Sequence, residues 1–312
     1  LAVEMNSEKL KYLEWENHPT FVEDCLRFLD NVLEDFISKA PESMSRAKYS
    51  AMRERSVGLG IMGLHSFLQS LSVPFEGAMA KVWNKKIFKN IKLQADQASK
   101  KLAKEKGACP DAKDFGIEER FSNKIAIAPT ASISIICGGT SPGIEPIVAN
   151  SFTHKTLSGS FAVRNKYLEK VLESYNKNNE EVWSSITTNE GSVQHLGFLT
   201  QLERDVFKTA FELDQRWLIE LAADRAPYIC QAQSLNVFLP PDVQKIHLHN
   251  IHFQAWKKGV KSLYYCRSKS LQRAENGNGI KEEKIDNVVE LKINKNITQN
   301  YEQNDEVCLA CQ

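Results

Sequence analysis

Three groups of residues have types and spacing suited to chemistry. The sharpest lies at the end of the chain, Val307-Cys308-Leu-Ala-Cys311-Gln312. Two thiols at i and i+3 close a small-ring disulfide by thiol exchange. This pair sits on a polar terminal stretch rather than at a helix start inside a fold. A flexible tail of about 40 residues reaches roughly 35 Å root-mean-square, so such a dithiol could visit a buried site and return to solvent. The same spacing also suits half of a zinc site or incidental surface thiols, although no second Cys-x-x-Cys or His-x-x-x-His lies nearby.

The second group is Ala128-Pro-Thr-Ala-Ser-Ile-Ser134, followed by Cys137-Gly-Gly-Thr-Ser-Pro-Gly-Ile-Glu-Pro146. An apolar run ends in small hydroxyl residues and open backbone amides. Such a loop can cradle phosphate through N–H groups and Ser or Thr hydroxyls. It can equally be an ordinary Ser/Thr-rich connection. The third group is Lys261-Ser-Leu-Tyr-Tyr-Cys266. Adjacent tyrosines on a strand point to opposite faces. They are either large amphipathic rings packed in the usual way or a phenol pair able to pass a radical by coupled proton and electron transfer.

Two motifs carry less. Gly58-Leu-Gly-Ile-Met-Gly63 matches G-x-G-x-x-G. The residues before it are polar rather than strand-like, and no acidic residue ends a second strand about 20 positions on, so close backbone packing is favoured over dinucleotide binding. His247, His249 and His252 form H-x-H-x-x-H. On one helix His249 and His252 share a face while His247 points elsewhere, which favours exposed helix histidines over a metal site.

The elements that must position these groups follow from periodicity. Residues 8–40 read as helix with a break near 17–19, and residues 66–72 and 78–106 as further helices. Residues 124–128 read as a buried strand, and 130–143 as a loop with one short element. Helices are expected over 167–176, 201–223 and 243–259, the last stopped by Gly259. Strands are expected over 234–239 and 261–265. From about Arg273 onward Asn, Lys, Glu and Gln dominate, as in a mobile tail. The expected organisation is therefore an α/β body over residues 1–273 and a redox tail over 274–312. Strands alternating with helices imply a largely parallel sheet or barrel.

A formal net charge of +1 gives no argument for nucleic acid or an anionic membrane as partner. No apolar run approaches the roughly 20 residues needed to cross a bilayer, and the first residues lack the features of a signal peptide. Seven cysteines with one close pair do not form the framework of a small secreted domain, so a reducing cytoplasm is expected. The first residue is Leu rather than Met, which suggests a processed, trimmed or split chain.

Together, these segments resemble one family in a fixed order. Arg55-Ser-Val-Gly-Leu-Gly-Ile-Met-Gly-Leu64, Leu102-Ala-Lys-Glu-Lys-Gly107, Pro129-Thr-Ala-Ser132, Gly143-Ile-Glu-Pro146, Leu157-Ser-Gly-Ser-Phe161, Gln233-Ser-Leu-Asn236, Trp256-Lys-Lys-Gly-Val-Lys-Ser-Leu-Tyr-Tyr265 and the terminal Cys-x-x-Cys are similar to the C-terminal half of the large subunit of class I ribonucleotide reductase, here as a split or truncated, phage-like chain. The resemblance implies a ten-stranded α/β barrel, of which this chain supplies the second half. It implies that the substrate is a ribonucleoside diphosphate. Thr130 and Ser132 would offer hydroxyls to its diphosphate, and Ala131, Ile133 and Ser134 backbone amides. Tyr264 and Tyr265 would be the last steps of a radical path from a small, metal-bearing subunit, with no metal held by this chain. Cys308 and Cys311 would re-reduce the active site and be reduced in turn by thioredoxin or glutaredoxin.

The departures shape the expectation. The family carries its radical cysteine in an Asn-x-Cys-x-Glu motif, and Cys25, Cys109, Cys137, Cys230 and Cys266 all lack that setting. The two cysteines that reduce the ribose, and the nucleotide-binding specificity site, belong to the upstream part. The connection from Gly107 to Lys124 is short, Cys137-Gly-Gly139 differs from common members, and Cys266 beside the tyrosines has no assigned role. A half-barrel alone would expose a strand edge and apolar interior, so association with the N-terminal half is expected. The alternatives are a stand-alone dithiol redox module and a structural remnant that only binds partners.

Overall fold

The structure, a computed structural model, describes residues 20–156 and 159–268. Along the chain, helix α1 (Phe21–Lys39) leads through a short 3-10 turn into α2 (Ser45–Glu54). An extended stretch follows, then α3 (Leu64–Ser70), the long α4 (Ala78–Lys106) and the short α5 (Pro110–Asp114). Next come α6 (Ala131–Ile136), a hairpin of β1 (Ser151–Thr156) and β2 (Gly159–Arg164), α7 (Lys166–Ser174), α8 (Glu180–Thr188), α9 (Gln201–Val206) and α10 (Gln215–Arg225). The described part ends with β3 (Val237–Leu239), α11 (Lys245–Lys257) and β4 (Cys266–Ser268).

Four extended segments run side by side and parallel. Leu59 bridges Ile125, Ile127 bridges Gln233, and β3 pairs with β4. The second segment is short and apolar because both faces are covered, as expected of a parallel sheet between helices. Ile125 and Ile127 are 1% and 3% exposed. The helices α1, α4, α10 and α11 pack their apolar faces with these segments into one core, including Leu26, Phe88, Leu102, Leu221 and Ile251. A smaller cluster under α7, α8 and α9 is built on Leu168, Leu172, Trp183 and Phe207.

The α/β class holds, and helix α4 has the bounds that its periodicity gives. The described residues form no closed barrel: beyond β1–β2 and β3–β4, only the two bridges join strands. The helix expected over 201–223 is two helices. Thr200 and Glu203 form a capping box for α9, and Asp214 caps α10 by accepting the Arg216 N–H at 2.9 Å. Between them the chain turns inward to bury Phe207, Ala210 and Leu213. Helices α2 and α8 and the hairpin had no prior expectation. The tail, with Cys308 and Cys311, and the proposed boundary near residue 273 lie outside the described residues.

Glycines in Gly58–Gly63 serve close packing, as expected. A Cβ on Gly60 would lie 2.6 Å from the Ala126 carbonyl oxygen, and one on Gly63 at φ +86° would lie 2.6 Å from Thr140 Oγ1. The three helix histidines are exposed. His249 stacks on Phe253 at 6.0 Å, and His252 Nδ1 lies 2.8 Å from its own helix's Leu248 carbonyl. Among the described residues no helix is long and apolar enough to cross a membrane.

Candidate active site

The second extended segment delivers Thr130 to the C-terminal end of the sheet, where parallel folds expose their functional loops. Thr130 is in the left-handed region at φ +53°, ψ +29°, and α6 starts at the next residue. The chain thus turns sharply from strand into helix. The first amides of a helix have no partner in their own helix, so the N–H groups of Ala131, Ser132 and Ile133 remain to be satisfied from outside. Ser132 and Ile133 are exposed, and Ala131 and Thr130 half-buried. Ser134 is turned inward. Its N–H donates to the Thr130 carbonyl at 2.9 Å, and its hydroxyl to the Ala131 carbonyl at 2.9 Å. The expectation that its amide serves a ligand is corrected on that ground: the amide closes the first helical turn.

The loop after α6 is stapled to α3. Ser66 and Ser141 exchange bonds, each hydroxyl accepting the other's backbone N–H at 3.1 and 2.9 Å. Ile147 N–H donates to His65 Nδ1 at 3.0 Å, which leaves the ring proton on Nε2. His65 is fully buried, and burial pulls its pKa down to about 3. Gly143 N–H donates to Thr130 Oγ1 at 2.7 Å, so the far end of the loop closes back on its start. A cavity of about 410 Å³ opens beside this loop. Thr130, Ile133, Cys137 and Thr140 line it, together with Cys25 and Tyr167. Tyr264 and Tyr265 are not among its lining residues.

The tyrosines nevertheless stand at the same end of the sheet. Two residues beyond the Ile127–Gln233 bridge, Pro129 comes level with Leu235. The Leu235 carbonyl accepts the Tyr264 N–H at 2.8 Å. Parallel register thus puts Thr130 and Tyr264 at neighbouring heights, two strand spacings or roughly 10 Å apart across the sheet. Tyr265 continues the ladder, its carbonyl accepting Val237 N–H at 2.9 Å.

The rings do not alternate across a strand as expected. The strand begins only at Cys266, so the two residues before it are free of β alternation. Their centroids lie 4.1 Å apart at 53°, with hydroxyl oxygens 3.5 Å apart. They are 40% and 43% exposed, which leaves the pair open to solvent on one side. Arg267 lies over the Tyr265 ring at 5.7 Å.

Between loop and tyrosines lie two buried residues to which sequence reading gave no role. Glu145 accepts Asn236 N–H at 3.0 Å and Asn236 Nδ2–H at 3.1 Å, one on each carboxyl oxygen. Asn236 Oδ1 accepts Tyr265 N–H at 3.0 Å. Burial pushes the Glu145 carboxyl pKa up, against the hydrogen bonds from Asn236 that lower it. The only advance signal was their presence in the Gly-Ile-Glu-Pro and Gln-Ser-Leu-Asn segments.

With this geometry in view, the family can be assigned. The model of the ribonucleotide reductase barrel domain matches residues 3–119 and 111–266. The chain belongs to the ribonucleotide reductase barrel-domain family. It is 45% identical over 276 residues to the large subunit of ribonucleoside-diphosphate reductase from Invertebrate iridescent virus 6, covering 87% of this chain and 29% of the relative. The corresponding protein of Invertebrate iridescent virus 3 is 45% identical over 269 residues, covering 85% and 42%. Among solved structures, the α subunit of the Actinobacillus ureae class Id ribonucleotide reductase superposes with a TM-score of 0.77 at 38% identity, over 84% of this chain and 48% of that one. This chain therefore spans less than half the length of each of these relatives, and its fold is that of part of the ribonucleotide reductase barrel domain.

Proposed function

We propose that this chain is the C-terminal part of a ribonucleoside-diphosphate reductase that reduces ribonucleoside diphosphates to 2′-deoxyribonucleoside diphosphates. It binds the substrate diphosphate, ends the radical path and returns reducing equivalents. One observation carries the reading: the rings of Tyr264 and Tyr265 are 4.1 Å apart and half-exposed, on a segment whose Tyr264 N–H bonds Leu235, the residue in register with Pro129. The diphosphate takes the Thr130 and Ser132 hydroxyls and the Ala131 and Ile133 amides. A radical arriving from a metal-bearing small subunit reaches Tyr265 and Tyr264 from the solvent side. Cys308 and Cys311 restore the reduced active site and are themselves reduced by thioredoxin or glutaredoxin.

The radical cysteine and the ribose-reducing pair come from the upstream part of the enzyme. The free edge of the sheet supports this partner. Val57 and Leu59 bond the second segment, whereas Gly58 and Gly60 are exposed and have no backbone partner among the described residues. Such an edge is completed by another strand. Cytoplasmic work fits the reducing chemistry, and a formal net charge of +1 gives no argument for nucleic acid or a membrane as partner.

The test mixes the chain with an upstream reductase segment and a small subunit. Turnover is expected with dithiothreitol, and with thioredoxin only while Cys308 and Cys311 are intact. Tyr265→Phe is expected to abolish turnover while nucleoside diphosphate still binds. Dithiol activity toward unrelated disulfides, with no diphosphate binding, would instead establish a stand-alone redox module.

A further inference from the structure

Thr130 and Tyr265 belong to separate segments of the sheet, yet an unbroken path joins them. Thr130 Oγ1 holds Gly143 N–H at 2.7 Å. Two residues on, Glu145 grips Asn236 with both carboxyl oxygens, at 3.0 and 3.1 Å. Asn236 holds the Tyr265 backbone at 3.0 Å. Glu145 and Asn236 are 4% and 2% exposed, so neither is a surface contact that water can replace. The start of the loop is equally constrained. Gly143 sits at φ +45°, and a Cβ there would lie 2.9 Å from the Ala128 carbonyl oxygen. Glu145 N–H is tied to the Pro142 carbonyl at 3.0 Å.

We propose that Glu145 and Asn236 form a positioning clamp that sets the height and distance of the Tyr264–Tyr265 pair relative to the Thr130 segment, and so the rate of radical delivery rather than substrate affinity. The proposal rests on reading the two phenols as the end of the radical path. A carboxyl offers two acceptors in one plane, which fixes the Asn236 backbone and amide together. The remaining amide oxygen then has one orientation left, aimed at Tyr265. A single hydrogen bond would leave that oxygen free to rotate. Positional errors of about 1 Å at a reacting pair cost on the order of a hundredfold in rate. Arg225 and Arg267 are the cations whose field reaches Glu145, and Arg267 also lies against the Tyr265 ring.

The test has two parts. In the full chain with 13C-labelled tyrosine, the signals of Tyr264 and Tyr265 report their mutual ring stacking. Asn236→Asp sets a second carboxyl against Glu145. It is expected to leave the chain folded at low pH and to displace both signals as pH rises and the two carboxyls repel. Adding Glu145→Gln to Asn236→Asp exchanges amide and carboxyl across the same contact and is expected to restore the parent signals at every pH. A folded Asn236→Asp chain with parent signals throughout would overturn the clamp.

In the assembled reductase, Glu145→Gln is expected to lower kcat at least tenfold with KM for the nucleoside diphosphate within twofold. A raised KM with unchanged kcat would overturn the proposal. Full turnover in Tyr265→Phe would overturn the relay reading and this proposal with it. An inactive Tyr265→Phe beside a fully active Glu145→Gln would overturn the clamp alone.

Discussion

Thr130 Oγ1 accepts the backbone N–H of Gly143 at 2.7 Å, so one side chain fixes both ends of the 130–143 loop. The bond explains why a β-branched residue is held in the left-handed region at φ +53°, where such residues rarely sit. The surrounding staples between Ser66 and Ser141 and between His65 and Ile147 hold the rest of the loop against α3.

Thr130→Val removes that acceptor and leaves the buried Gly143 N–H without it. The expected cost is about 1–3 kcal/mol in a urea titration. In the assembled enzyme the affinity for nucleoside diphosphate is expected to fall about tenfold. Thr130→Ser, which keeps the hydroxyl, is expected to retain both within a factor of three.

Gly60→Ala places a methyl group 2.6 Å from the backbone oxygen of Ala126. Backbone in a paired segment cannot yield as a side chain does, so a loss of about 1–3 kcal/mol is expected. Gly197→Ala meets nothing within 4 Å and has no positive φ, and is expected to stay within about 0.5 kcal/mol. Thermal melts of the two variants check the contrast.

Asp30 is fully buried and is held by Arg55 Nη2 at 2.8 Å, Arg120 Nε at 2.9 Å and Lys106 Nζ at 3.0 Å. Burial alone would raise its carboxyl, but the bonds from Arg120, Arg55 and Lys106 outweigh it and hold the pKa below the usual range. Asp30→Asn removes the buried charge between Arg55 and Arg120, leaving Arg55 with Glu34 at 2.8 Å and Arg120 with the Lys106 and Gly107 carbonyls, and is expected to cost about 1–3 kcal/mol at pH 7. A carboxyl lowered in the folded state stabilises above its unfolded pKa, about 3.9, and that share disappears as pH falls through the folded value. The variant is therefore expected to lose less stability than the parent on acidification below about pH 4.

His65 carries linkage of the same sign in a higher pH window. Its folded pKa is about 3, and an unfolded histidine titrates near 6.5. Between those values the unfolded chain binds one more proton. Stability is thus fully present above about pH 6.5 and falls by about 1.4 kcal/mol per pH unit below it. His65→Gln is expected to be less stable at pH 7 and to lose about 2 kcal/mol less than the parent between pH 6.5 and 5. Urea midpoints at the two pH values measure the difference.

Much of the framework was legible because it depends on local pattern. Helix α4 repeats Ile87, Ile91, Ala95, Ala98 and Leu102 at helical spacing, and all five are buried. The run at residues 124–128 read as strand because apolar residues bounded by proline have few other uses, and the chain pairs there through the isolated bridges at Ile125 and Ile127 rather than as a full strand. The hairpin of β1 and β2 was not legible, since Ser151-Phe-Thr-His-Lys-Thr156 lacks a clean apolar alternation. The break between α9 and α10 was also hidden. Its apolar residues keep a helical look while Asp214 and the buried Phe207 redirect the chain.

The amino-acid order by itself determined which residues could act: hydroxyls and small residues after Pro129, two phenols in a row, two thiols at the end. Those are matters of residue type and near-neighbour spacing, which sequence records directly. Only the folded chain decided that the phenols share one face, that Ser134 is spent on its own helix, and that Glu145 reaches Asn236. The contact between residues 91 positions apart brings a loop residue, Glu145, to Asn236 on a segment placed by parallel register. That register is set by packing of the whole core, so no short stretch of sequence encodes it.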